Sequence, residues 1–133
     1  MKKEAKHIES LFKLLISQDK YPFPEPDKEI NIPKKHGVYV IYNSEDRVVY
    51  VGRTQLGKNG LKNRFKNHLY GMSSFTKNYL NDDGNKLRKG YKFKYILLKN
   101  GRERALVESL AIGTLCPEYV GIGKRRKVKE NKK

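Results

Sequence analysis

The sequence predicts a small α+β domain, and three observations carry that prediction. Val, Ile and Tyr crowd into two short runs, 38–42 and 47–52, on either side of the turn-forming segment NSED. Residues 61–69 and 103–115 place apolar side chains at helical spacing. Between them FKYILL, at 93–98, reads as a third strand. The order is helix, β, β, α, a less regular stretch, β, α. That is a β-β-α-β-α core behind an N-terminal helix, on a small three-stranded sheet that is antiparallel at its hairpin. A chain of 133 residues is the size of one ordinary domain with a modest core.

In chain order, residues 4–18 put Ile8, Leu11, Phe12, Leu15 and Ile16 on one helical stripe, which must dock on the domain or on a partner. YPFPEP then brings three prolines in six residues, a composition expected to act as a stiff, irregular linker. Residues 1–33 are therefore expected to form an N-terminal helix and Pro-rich linker, 34–122 the main domain, and 123–133 a disordered basic tail. LGKNG at 56–60 is a loop, and SSFTKNYL at 73–80 is a candidate short helix. NDDGN at 81–85 is a turn; it lacks the spaced ligands and closing Glu of a calcium loop. Cys116 is the sole cysteine, which rules out an internal disulfide and a Cys-based zinc site; it is expected to pack in the interior. In MKKEAKHIESLFKLLISQDK the longest apolar run is LLI, too short for a signal peptide or a spanning helix. The expectation is a soluble protein of a reducing cytoplasm, with no membrane partner.

Charge narrows the partner. Lys and Arg outnumber Asp and Glu 30 to 14, a formal charge of +16. Such an excess repels itself unless something anionic shares the surface. Nucleic acid is the usual reason, although ribosome-like and membrane-surface roles satisfy the same charge. Composition alone says nothing about chemistry.

The stretch GVYVIYNSEDRVVYVG, 37–52, is nearly a mirror of itself. With the turn centred on Ser44-Glu45, Tyr39 faces Tyr50 and Gly37 faces Gly52. Opposed residues share a face of the sheet, with Cβ atoms about 4.5–5.5 Å apart, so the phenols are expected side by side. A one-residue slip would send them to opposite faces. Glycine at such positions often marks the close approach of another backbone or a ligand.

Two helices add chemistry. On 61–69, Leu61, Phe65 and Leu69 form the apolar face, and Lys62 and Lys66 point away from it. Arg64 and His68 are neighbours four residues apart at the edge of that face. Together they suit a phosphate, because a guanidinium forks onto two oxygens; a surface Arg over a neutral His is the plainer alternative. On 103–115, Glu108 shares its face with Ala105, Ala111, Ile112 and Leu115. A carboxylate there needs a cation, either an Arg partner or a hard metal such as Mg²⁺.

These residues resemble the GIY-YIG endonuclease family. Gly37-Val38-Tyr39 and Tyr50-Val51-Gly52 stand for its two tripeptides, and Arg64, His68 and Glu108 follow in the family's order, over about residues 36–120. The resemblance implies a mainly antiparallel three-stranded sheet flanked by helices, and hydrolysis of DNA phosphodiesters with Mg²⁺ or Mn²⁺. It further implies that Tyr39 assists deprotonation of an attacking water, that Tyr50 positions water or phosphate, and that Arg64 binds the scissile phosphate. His68 would be an auxiliary base and Glu108 the metal ligand. Gly37, Gly52, Arg53, Lys62 and Lys66 are the candidate DNA contacts. One departure stands out: the family's Asn after the proline is absent from Pro117-Glu118-Tyr119-Val120. A restriction-like or standalone nuclease, acting as a homodimer, is the leading expectation. The alternative is a catalytically inactive nucleic-acid-binding module on the same fold.

Overall fold

The computed structural model describes residues 2–121; the expected basic tail, 123–133, lies outside them. A four-stranded antiparallel sheet, ordered β1-β4-β2-β3, organises the chain. Its strands are β1 (Tyr21–Pro22), β2 (Gly37–Tyr42), β3 (Val48–Arg53) and β4 (Lys92–Leu97). The helices are α1 (Lys2–Ile16), α2 (Gly60–Leu69), α3 (Ser74–Tyr79) and α4 (Gly101–Leu115), with a 3₁₀ turn at Gly84–Arg88. The sheet thus has one strand more than expected. The addition is a two-residue edge strand inside the proline-rich segment, at the edge position where a strand proline is tolerated.

Alternation along β2 feeds two cores. Val38, Val40 and Tyr42 join Ile8 and Leu15 of α1 and Val107 and Ala111 of α4 on one face. Tyr39 and Ile41 join Leu61, Phe65 and Leu69 of α2 on the other, with Phe23, Ile30 and Ile32. The N-terminal segment therefore straddles the sheet, its helix on one face and its proline-rich strap on the other. The strap is held by stacking of Phe23 on Phe65 (5.8 Å between centroids) and by Arg88, which donates to the Pro24 and Glu25 carbonyls at 2.8 and 3.0 Å. The stripe on α1 docks on the domain.

The hairpin register differs from the mirror. Tyr39 is paired with Gly52 and Ile41 with Tyr50, while Gly37 lies opposite Leu97 of β4. The cause is local. The Asn43 side chain accepts from the Glu45 and Arg47 amides at 2.9 and 3.0 Å, and Asp46 turns through φ 63°, which lengthens the loop. An irregularity between Ile41 and Tyr42 then absorbs one residue of β3. The pairing constant moves by two along the rest of the ladder, so Tyr39 and Tyr50 still share a face, diagonally rather than directly opposed.

Cys116 is exposed, not packed inside. It is the C-cap of α4 in the left-handed conformation (φ 47°, ψ 64°), where the chain leaves the helix.

Candidate active site

The tyrosines meet one arginine. Arg64, on α2, donates from Nε to the Tyr39 hydroxyl at 3.2 Å and from Nη2 to the Tyr50 hydroxyl at 3.3 Å. Its placement follows from the helix face: Leu61, Phe65 and His68 are buried, and Arg64 is carried beside them at the rim. Burial works against the Arg64 charge, but the two phenol oxygens outweigh it and hold the guanidinium more firmly protonated than usual. Nη1 has no protein hydrogen bond among the described residues.

Gly52 makes this meeting possible. A Cβ there would run into the hydroxyl and ring of Tyr39, which lies across β3 at this point. Gly37 has a different role, since a Cβ on it would strike the Ile96 carbonyl of β4. Gly52→Ala is therefore expected to displace Tyr39 and to destabilise the fold by about 1–3 kcal/mol, the usual cost of overpacking. Urea unfolding checks this; an unchanged midpoint would show that Tyr39 moves aside freely.

Behind Tyr39 lies a buried polar chain. Tyr39 is 2.7 Å from His68 Nε2, and His68 Nδ1 is 2.7 Å from Ser73 Oγ. Ser73 donates to Thr76 Oγ1 at 3.1 Å, and Thr76 donates to the His68 carbonyl at 2.5 Å. With both hydroxyl protons so used, His68 must donate from Nδ1 to Ser73. Its Nε2 is then bare and accepts the Tyr39 proton. Burial, reinforced by the Arg64 charge, pushes His68 well below its ordinary pKa. Burial, with the Tyr50 oxygen adding to it and Arg64 opposing, pushes Tyr39 well above its own. Both rest neutral.

The depressed His68 pKa makes stability depend on pH. Below about 6.5 the unfolded chain takes up a proton at His68 that the folded chain refuses, so stability falls as pH falls. The slope from this one group reaches about 1.4 kcal/mol per pH unit. Urea-derived stability between pH 6.5 and 5 is expected to drop less steeply in His68→Gln than in the wild type. Equal slopes would count against a neutral buried His68.

Glu108 approaches from the opposite face of the sheet. Arg53, the last residue of β3, donates from Nη1 to Glu108 Oε1 at 3.0 Å, with both side chains partly buried. Glu108 thus has an Arg partner at Oε1, while Oε2 has no protein hydrogen bond among the described residues. Burial raises its pKa, with Arg53 and then Arg64 opposing the rise. No group of three or more His, Cys, Asp or Glu among the described residues could hold a metal. A lone carboxylate nevertheless suits Mg²⁺, which commonly keeps several waters and takes one or two carboxylates plus substrate phosphate oxygens.

The remaining candidates divide. Lys62 is drawn to Glu29 of the strap at 3.1 Å, away from the tyrosines, and Lys66 is exposed on the same helix. After Pro117, Glu118 accepts from the Tyr79 hydroxyl at 2.5 Å, and Asn78 Nδ2 donates to the Tyr119 hydroxyl at 3.0 Å. Two supports escaped the sequence reading. Ser73 and Thr76 fix His68; a Ser at the cap of the short helix was their only local signal. Arg104 is buried and donates to the carbonyls of Thr54, Gln55, Leu98 and Lys99 at 2.8–3.1 Å, tying the loop after Arg53 to the end of β4. Its signal was a charge three and seven residues before the apolar Val107 and Ala111.

Comparison with known proteins identifies the family and the fold. Residues 35–114 match the family model described as GIY-YIG catalytic domain. The UvrABC system protein C of Clostridium tetani is 31% identical over 91 residues, covering 66% of this chain. That of Clostridium acetobutylicum is 30% identical over 92 residues, covering 67%. The chain spans 13% of the length of each of these relatives. The GIY-YIG N-terminal endonuclease domain of UvrC from Thermotoga maritima, solved bound to magnesium as its catalytic divalent cation, superposes with a TM-score of 0.50. It does so at 21% identity, over 68% of this chain and 88% of that one.

Proposed function

Because this chain belongs to the GIY-YIG family, whose catalytic domain is a phosphodiesterase nuclease, we propose that it is a metal-dependent endonuclease acting on DNA. The observation that carries the proposal is Arg64 bridging the Tyr39 and Tyr50 hydroxyls. Two of the guanidinium nitrogens are used in this bridge, which leaves Nη1 available to a phosphate oxygen.

The residues divide the work as follows. Arg64 binds the scissile phosphate and offsets the charge that grows on it in the transition state. Tyr50 orients the phosphate or the attacking water from the other arm of the same guanidinium. Tyr39 assists deprotonation of the water, and His68, with its bare Nε2, is placed to take the Tyr39 proton in turn. A tyrosine is a weak base at neutral pH, and burial makes Tyr39 harder still to ionise, so the cations of the site must favour its phenolate. Glu108 would hold Mg²⁺ or Mn²⁺ from the protein side, with Arg53 fixing its carboxylate. When bound, the ion supplies Lewis-acid stabilisation of the phosphate and the leaving oxygen.

A second reading, a nucleic-acid-binding module without catalysis, is favoured by the Arg53–Glu108 pair, which gives the carboxylate a cationic partner without any metal. A labelled DNA duplex incubated with Mg²⁺ and resolved on denaturing and native gels separates the two. Shortened strands support the endonuclease. A retarded complex with intact strands supports the module.

The finer role we propose is a compact, restriction-like nuclease working as a homodimer, since a double-strand cut needs two active sites or two sequential nicks. Sedimentation as a monomer both alone and on DNA would count against the dimer.

A further inference from the structure

Three strand ends gather cations at one end of the sheet. Leu97 of β4 pairs with Gly37, and the Leu98 amide donates to the His36 carbonyl at 3.0 Å, so Lys34 and Lys35 lie beside Lys99. Arg53 ends β3 next to them, and the Thr54 amide donates to the Gly37 carbonyl at 3.1 Å. Two depressions open here. One is lined by Arg64, Arg53 and Lys58, the other by Lys34, Lys35, Leu97 and Lys99, and His36 belongs to both. Neither lining contains an Asp or Glu. Lys34, Lys35, Lys58 and Lys99 form no ion pair within 4.0 Å among the described residues, in contrast to Lys20 and Lys62, which are paired with Asp46 and Glu29.

The groove is also held in place. His36 Nδ1 lies 2.8 Å from Thr54 Oγ1, which accepts from the Gly37 amide at 3.0 Å. Buried Arg104 clamps the backbone of both walls, at Thr54 and Gln55 on one side and at Leu98 and Lys99 on the other. Unneutralised cations on a fixed backbone, without competing carboxylates, suit a chain of phosphates.

We infer that the DNA strand flanking the scissile phosphate leaves the catalytic centre across His36 and runs into the groove of Lys34, Lys35 and Lys99, which hold its phosphates. Leu97, half-exposed on the floor, lies against the sugar edge. The inference rests on the nuclease reading above, because it fixes the strand's starting point at Arg64. It assigns a binding surface to Lys34 and Lys99, positions no motif of the active site includes.

The test is salt-dependent binding in EDTA, where no cleavage step enters. Lys34→Ala/Lys35→Ala/Lys99→Ala is compared with Lys86→Ala/Lys89→Ala/Lys92→Ala, a variant of equal charge change nearer the opposite end of β4, on a fluorescent 20-bp DNA duplex. Thermal unfolding first confirms that both variants are folded. The groove variant is expected to bind roughly ten- to hundredfold more weakly, with the slope of log K against log salt reduced by about 2–3, near 0.9 per lost phosphate contact. The control is expected to stay within about threefold of the wild type. A wild-type slope in the groove variant overturns the inference, and so does an equal loss in the control. Failure of the wild type to cleave would instead sink the nuclease reading, while the binding arms still report on the groove.

Discussion

Glu108→Gln is expected to cut DNA on the order of a thousandfold more slowly than the wild type in Mg²⁺, while binding duplex DNA in EDTA unchanged. The substitution keeps the side-chain volume and an oxygen for Arg53, so the 3.0 Å contact between β3 and α4 can persist. What disappears is the negative charge, which is what a hard cation needs. Single-turnover cleavage of a labelled duplex measures the loss, and anisotropy in EDTA measures the binding. Retained cleavage would reduce Glu108 to a structural partner of Arg53 and remove it as the metal ligand. A parallel loss of binding would mean that the pair organises the DNA surface instead.

Arg64→Lys should lower the rate constant at saturating DNA by roughly a hundred- to a thousandfold, with binding affected far less. Lysine keeps the positive charge but lacks the planar fork that reaches Tyr39 and Tyr50 at 3.2 and 3.3 Å and still leaves a third nitrogen for phosphate. The comparison with Arg64→Ala is informative. If charge alone mattered, lysine would recover most of the activity. If the fork matters, lysine and alanine fall close together. A lysine variant at wild-type rate would dismiss the bridging geometry as incidental.

How much of this was legible in the sequence depends on what each feature rests on. The apolar face of α2 is periodic, so the positions of Arg64 and His68 at its edge followed from helix geometry alone. Strand parity was equally robust: a shift of two in the pairing constant preserves the face, so Tyr39 and Tyr50 remain together although their directly opposed placement was incorrect. The register itself depends on the Asn43 side chain capping a longer loop and on the irregularity that follows it, neither of which hydrophobic patterning encodes. Gly52 in a strand marks a close approach, but its partner, the Tyr39 ring, is set by the fold and not by local sequence. Strand β1 was hidden because two residues among prolines carry no periodicity. Arg53 and Glu108 each stand out by charge in apolar surroundings, yet their pairing joins residues 55 apart in the chain, which no local pattern encodes. The His68–Ser73–Thr76 chain was missed because its hydrogen bonds run between α2 and the turn into α3, a region with little pattern of its own.

The most direct measurement is the fate of supercoiled plasmid incubated with the wild-type protein, in Mg²⁺ and in EDTA. The account predicts relaxed, nicked circles that accumulate only with Mg²⁺ and stop accumulating when EDTA is added. Plasmid that is retarded on the gel but never nicked in Mg²⁺, or nicked equally in EDTA, would contradict it.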